Sequence, residues 1–391
     1  MDIPFGDLKV HYQSIKPQID AAVARVLSSG HYILGEELKK FERDFADYLG
    51  AKFVIGCASG TEAIYLALAA LGVKAGDEVI TVAHTAVPTI SAISMTGAEP
   101  VFVDINPYTY VIDVEQVEKK ITKATKAIIP VHLYGQMVEL QPLLDMAAAR
   151  GIPVLEDVAQ ATGASYNGHK AGTMGALGAF SFYPSKNLGA FGDGGAVCTN
   201  YEEAYEKLVR LRNYGQSKRY YHDEIGINSR LDEVQAAILG AQLPFLTNWN
   251  KRRREIALRY TEGLHDVVAT PVEKQHHVYH LYVIQCGNRD GLQSYLAERG
   301  IGSLIHYPVP AHLQKAYQYR GYKRGDLPAT EFAAERILSL PMFPQITDDQ
   351  VDRVIHEVRQ YIKLNPAAKA TIDDYSNASN VTASFNQVTI R

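Results

Sequence analysis

Glu78-Val79-Ile80-Thr81-Val82 opens a series of four short apolar runs. Pro100-Val101-Phe102-Val103, Ala127-Ile128-Ile129-Pro130-Val131 and Pro153-Val154-Leu155-Glu156 follow in order. Helix-patterned segments separate them: residues 87–95, a stretch beginning at Val114, and residues 139–150. Alternation of this kind predicts α/β units around a largely parallel sheet. The runs are apolar almost throughout, as strands are when helices cover both faces.

Upstream, Ile15, Ile19, Val23 and Val26 predict one amphipathic helix over residues 8–28, ended by Gly30. A charged helix follows over 36–49, then a strand at Phe53-Val54-Ile55. Ala58-Ser59-Gly60-Thr61 opens an apolar helix to about Leu71. Downstream, residues 176–182 and 196–199 read as strands. The texture changes after Trp249. A charged helix (250–260) leads to period-two segments such as Val278-Tyr279-His280-Leu281-Tyr282-Val283, a helix over 289–299 and a strand at 303–306. Helices near 330–338 and over 348–364 follow. The expected organisation is a large domain over 1–249 and a smaller α+β domain over 250–364, with the N-terminal helix packing on the small one. Residues 365–391, poor in large apolar side chains, read as a mobile tail.

The chain has 391 residues, 47% apolar and 21% charged, as in ordinary globular proteins. Its net charge of −4 supplies no basic field for nucleic acid. Cys57, Cys198 and Cys286 show neither a zinc spacing nor a disulfide framework, so no metal is expected and a reducing cytoplasm is. The first residues lack a signal-peptide pattern, and no apolar stretch is long enough to span a membrane.

Four features carry chemistry. Gly60 and Thr61 enter a helix, where free backbone N–H groups and the helix dipole suit a phosphate; the same residues also suit plain helix capping. Asp157 lies just past the carboxyl end of a strand, the edge where open α/β sheets bind ligands; it too could simply cap a helix. His84 also follows a strand and could stack on an aromatic ligand or remain a bonded loop histidine. Lys186 sits in Ser181-Phe182-Tyr183-Pro184-Ser185-Lys186-Asn187-Leu188-Gly189, just before Gly192-Asp193-Gly194-Gly195. Alone, Lys186 reads first as a solvated turn lysine. Together the four supply a phosphate site, a ring partner, a counter-charge for a ring nitrogen and an amine for an aldehyde. Pyridoxal phosphate requires that set.

Ser59-Gly60-Thr61-Glu62-Ala63, Glu156-Asp157-Val158-Ala159-Gln160, the lysine stretch from Phe180, Gly192-Asp193-Gly194-Gly195 and Asn228-Ser229-Arg230-Leu231-Asp232-Glu233 occur in one order. With them the chain resembles, over about residues 3–363, the DegT/DnrJ/EryC1/StrS sugar aminotransferases. The resemblance implies the type I pyridoxal-phosphate aminotransferase fold: a mostly parallel seven-stranded sheet plus a smaller α+β domain. It implies that Lys186 bonds the cofactor aldehyde and then moves the proton. Asp157 is implied to pair with the ring nitrogen and Gln160 with the ring hydroxyl, His84 and Ala159 to cover the ring faces, and Gly60, Thr61 and Ser181 to hold the phosphate. Asn228 is implied to reach the phosphate of a partner subunit, making the active unit a homodimer. Tyr183, His306 and Tyr307 are expected beside substrate. Glutamate is the implied donor and a nucleotide-linked keto-deoxysugar the acceptor. Residues 182–187, 211–215 and 226–230 look most like the branch acting on dTDP-3-keto-6-deoxyhexoses. The alternatives are amination at C4 of a 4-keto-6-deoxy sugar and a cofactor-binding regulatory protein without turnover. The dehydratase branch replaces the lysine, so Lys186 argues against it.

Two clusters read as bystanders. Lys251-Arg252-Arg253-Arg254 is expected on a solvated or interface face. His276, His277 and His280 lack the carboxylates or cysteines of a metal site and read as structural or substrate-side. Asn377 and Asn380 match glycosylation acceptors that carry no weight without secretion.

Overall fold

A computed structural model describes residues 2–272 and 277–376 of the chain. Seven strands form the main sheet: β1 Phe53–Cys57, β2 Glu78–Val82, β3 Glu99–Val103, β4 Thr125–Ile128, β5 Leu155–Asp157, β6 Leu177–Ser181 and β7 Gly195–Thr199. Their order is β1-β7-β6-β5-β4-β2-β3, with β4 and β5 joined through parallel bridges at Ile128–Val154 and Val131–Asp157. Only β7 runs antiparallel to its neighbours. The expected sheet is therefore present, mostly parallel and seven-stranded. Val79, Ile80, Phe102, Ile128, Leu155 and Phe180 are buried, as residues covered on both faces must be.

The helix expected over 8–28 is two helices, α1 Leu8–Ser14 and α2 Lys16–Ser29. Pro17 lies in the first turn of α2. Its missing N–H and its ring forbid a continuous helix through that point. The N-terminus is correspondingly divided in its packing. Ile19 and Val26 of α2 pack with Ile238 and Ala237, which belong to the large half. His11 of α1 reaches Gln345, and Ile3 joins the smaller core through a parallel bridge to Ile301.

The boundary expected at residue 249 falls inside one helix, Leu246–Leu264. Leu246 is buried in the large core and Ile256 and Tyr260 in the smaller one, so this helix serves both. The smaller core also holds β8 Tyr282–Gln285 paired antiparallel with β9 Ile337–Leu340. β9 corrects the helix expected to run to 338, which spans only Pro328–Arg336. Residues 303–306 form a single bridge, Leu304–Ser339, rather than a strand. The segment before 377, expected to be mobile, packs down instead. Ala368 and Ala370 are buried, the Gly287 N–H donates to Ala368 O, and Arg336 pairs with Asp374 at 2.6 Å. Residues 377–391, with both glycosylation-like acceptors, lie outside the described residues, as does His276.

Candidate active site

The site forms at the carboxyl edge of β2, β5 and β6. β5 ends with two adjacent carboxylates that point to opposite faces of the sheet. Glu156 accepts the N–H groups of Gly172, Met174 and Gly175 and faces His132 Nε2 at 3.0 Å. Those bonds make it a loop anchor. Asp157 accepts the Thr89 hydroxyl at 2.8 Å and the Ala159 N–H at 3.1 Å. Burial raises the Asp157 carboxyl above its ordinary value, and Thr89, Ala159, Lys186 and His132 act against that rise.

Lys186 lies in the turn after β6, its N–H bonded to Tyr183 O at 2.8 Å. Burial lowers its ammonium to about 8, while the charge of Asp157 works the other way. A lysine so tuned has a usable free-base fraction near neutral pH. The following Asn187 donates to Asn250 Oδ1 at 2.8 Å and to Val278 O at 3.1 Å. The lysine loop is thus tied to the helix Leu246–Leu264 and to the segment at Val278.

At the start of helix Gly60–Ala70, Ser59 accepts the Glu62 N–H and so leaves the N–H groups of Gly60 and Thr61 at an open helix end. A Cβ added to Gly60 would lie 2.6 Å from the Ser181 Cβ. Only glycine lets the helix approach that strand-end hydroxyl. Gly195 allows the matching approach from β7, where a Cβ would meet Ser59 O at 2.3 Å. A helix N-terminus held against a serine hydroxyl suits a phosphate.

The imidazole of His84 is fully buried, with Nε2 2.9 Å from the Tyr134 hydroxyl and Nδ1 without a partner among the described residues. Burial lowers it to about 4, so the ring is neutral. Tyr134 takes the left-handed backbone (φ 60°) and donates its N–H to Gln160 Oε1 at 2.7 Å. Gln160 Nε2 donates to the Tyr307 hydroxyl at 2.6 Å. Tyr307 also has positive φ (58°). These links join β2, β5 and the 303–307 segment around one space.

The structure therefore brings Gly60 to Ser181 and draws His84, Asp157, Gln160, Lys186 and Tyr307 into one cluster. His306 joins it from the smaller half; its Nδ1 lies 2.8 Å from the Ser339 hydroxyl, and burial, then the Lys186 charge, lowers it to about 4. Thr61 and Ala159 are half-buried. Tyr183 is 56% exposed and Asn228, bridged to Asn213, is exposed, so both lie at the surface of the chain. The sequence reading missed Thr89 and Tyr134. Thr89, five residues after His84 in the next helix, was findable; nothing local marks Tyr134. It also misplaced Arg253, which is 6% exposed and not solvated. His277 and His280 are buried. These residues fit pyridoxal phosphate, with the Gly60–Ser181 cradle and the unpartnered His84 nitrogen as the structural grounds.

The sequence pattern of the DegT/DnrJ/EryC1/StrS aminotransferase family matches residues 13–359. The chain belongs to this family. A "Pleiotropic regulatory protein" of Geobacillus stearothermophilus is 46% identical over 93% of this chain and 99% of its own length. The dTDP-3-amino-3,6-dideoxy-alpha-D-galactopyranose transaminase of Aneurinibacillus thermoaerophilus is also 46% identical, over 92% of this chain and 99% of its own. Among solved structures, DesV of S. venezuelae in complex with a ketimine intermediate superposes with a TM-score of 0.90 at 45% identity, covering 92% of this chain and 98% of that one. The family and these neighbours make the fold that of pyridoxal-phosphate aminotransferases and the chain an aminotransferase. Among the described residues no helix is long and apolar enough to cross a membrane.

Proposed function

We propose that the chain moves an amino group from L-glutamate to a dTDP-3-keto-6-deoxyhexose, giving a dTDP-3-amino-3,6-dideoxyhexose. The observation that carries this reading is Lys186, buried beside Asp157 at the strand edge and lowered to about 8. The Aneurinibacillus relative supports the sugar and the carbon. Pyridoxal phosphate, when bound, supplies an aldehyde for the amine and a ring that takes up electron density.

The residues divide the work. Gly60, Thr61 and Ser181 hold the phosphate. The Asp157 carboxylate keeps a proton on the ring nitrogen, and Thr89 and Ala159 orient that carboxylate. Gln160 has one amide hydrogen left for the ring hydroxyl after bonding Tyr307. His84, fixed by Tyr134, and Ala159 would pack against the ring. Lys186 Nζ would take the proton from the carbon bearing the amine and give it back on the far side of that nitrogen, base and then acid. Tyr183, His306 and Tyr307 border the sugar. Asn228 serves the site of a second copy, so the working unit is a homodimer. The exposed Leu8, Leu27 and Phe191 beside Tyr12 form an apolar face suited to that copy. Three unpaired cysteines fit a cytoplasmic location.

The test is spectroscopic. L-glutamate should abolish the visible band of the lysine-bound cofactor, and a 3-keto sugar nucleotide should restore it. Restoration by a 4-keto sugar alone would move the amination to C4. A protein that stays colourless with added pyridoxal phosphate would sink the reading. Regulation without turnover is the second reading, favoured by the name that the Geobacillus relative carries.

A further inference from the structure

A cavity of about 350 Å³ opens on the side of Lys186 turned toward the smaller half. Its wall includes Trp249, Arg253, His280, His306 and Met342. Arg253 is the unusual member. It is 6% exposed, and its Nη1 donates to the carbonyls of Tyr279, His280 and Met342 at 3.0–3.3 Å. Those bonds pin two chain segments, but they leave the charge without a counter-ion. Nε is buried with no partner, and among the described residues no carboxylate pairs with Arg253. Burial lowers the guanidinium to about 10, so it stays charged at neutral pH. Its charge lowers two neighbouring imidazoles, His11 and His280. One acid lines the cavity, Asp7, and its Oδ1 already accepts the Val10 N–H at the start of α1.

A buried, unpaired cation is costly, and an incoming anion offsets that cost. The size of the cavity narrows the anion. It lies at the small end of ligand pockets, roughly 300–1,000 Å³, too tight for a sugar nucleotide. Its apolar parts, Trp249 and Met342, suit a short aliphatic chain ending in a carboxylate. We propose that this cavity seats the amino donor, with Arg253 holding a carboxylate of a small dicarboxylic amino acid while its amine faces Lys186. The assignment rests on the aminotransferase reading and gives the donor's carboxylate its own anchor at Arg253, while His306 borders both donor and sugar.

The test uses the pyridoxal-phosphate-loaded full chain and its Arg253→Lys and Arg253→Met variants. Glutarate, a dicarboxylate without an amine, is titrated calorimetrically, and each half-reaction is followed alone by stopped flow. Glutarate should bind the wild type and lose roughly tenfold or more in affinity in either variant, as expected for a lost charge-assisted pair. The apparent dissociation constant for L-glutamate should rise in step. The half-reaction with the keto sugar should stay within about twofold, a split that general loosening of the fold would not produce. Should Arg253→Met fail to fold, a crystal structure of the wild type with glutarate decides: a carboxylate on Arg253 supports the assignment, and one seated elsewhere overturns it. Unchanged glutamate binding in a folded Arg253→Lys overturns the donor subsite and leaves the aminotransferase standing. A wild type inert to glutamate and keto sugars alike overturns both.

Discussion

The two sides of Lys186 are built on opposite electrostatic plans. Toward the large half stands an acid, Asp157, satisfied by Thr89 and Ala159 and backed by a rigid strand end. Toward the smaller half stand bases, Arg253, His280 and His306, faced by one acid, Asp7, which already accepts the Val10 N–H. The acidic side is complete as it is and suits a positively charged ring. The basic side is incomplete and suits an anion. The charge of Asp157 favours the Lys186 ammonium, and burial opposes it. Burial then decides the balance, and the pKa falls.

Removing the lysine breaks this comparison outright. Lys186→Ala should lower turnover by about 10⁴-fold or more while cofactor still binds non-covalently, checked by steady-state assay and by absorbance after dialysis. Asp157→Asn removes the acidic wall. It should cost about 10²–10⁴-fold in kcat with little change in Tm, since an amide keeps the Thr89 contact. Thr89→Val leaves the acid but strips one donor. The Asp157 pKa should rise, and kcat/KM should fall roughly tenfold to a hundredfold, the scale of a lost hydrogen bond to a charged group. A kcat/KM within twofold of wild type would mean that Thr89 does not tune the carboxylate.

The buried imidazoles on the two sides of Lys186 predict a pH effect. His84 and His306 are lowered to about 4 against an ordinary 6.5. The unfolded chain therefore binds more protons than the folded one below about pH 6.5. Stability should be full above that pH and decline as pH falls toward 4. The fully buried His84 alone accounts for a loss on the order of 3 kcal/mol. Tm measured between pH 7 and pH 4 should fall steadily; a flat profile would show that these rings are solvated. The smallest effect concerns Lys186 itself. Capture of pyridoxal phosphate by the cofactor-free chain should speed up from pH 7 and level off above about 8.

The legibility of the sequence follows the same division. The strands of the large half, with their strand-end residues, were readable because parallel strands are apolar runs and chemistry sits at their ends. Gly60, His84, Asp157 and Lys186 all lie at such punctuation. The smaller half was harder. Ile337-Leu338-Ser339-Leu340 is too short for its pattern to separate strand from helix, and only pairing with Tyr282–Gln285 decides it. Arg253 lay in a basic run that reads as solvated; its burial depends on carbonyls at 279, 280 and 342 that no local window contains. Tyr134 was invisible for the same reason, since its role depends on an odd backbone angle and a distant glutamine.

The pairing of β1 with β7 has a consequence for how the molecule assembles. Val54 aligns with Cys198 and Cys57 with Gly195, across most of the large half of the chain. Until that distant pairing closes, Gly60 has no Ser181 to meet and the phosphate cradle does not exist. Contacts so remote in sequence form slowly. During refolding, the visible band of the captured cofactor should therefore trail the return of helical signal, making its colour a clock for the last step of folding.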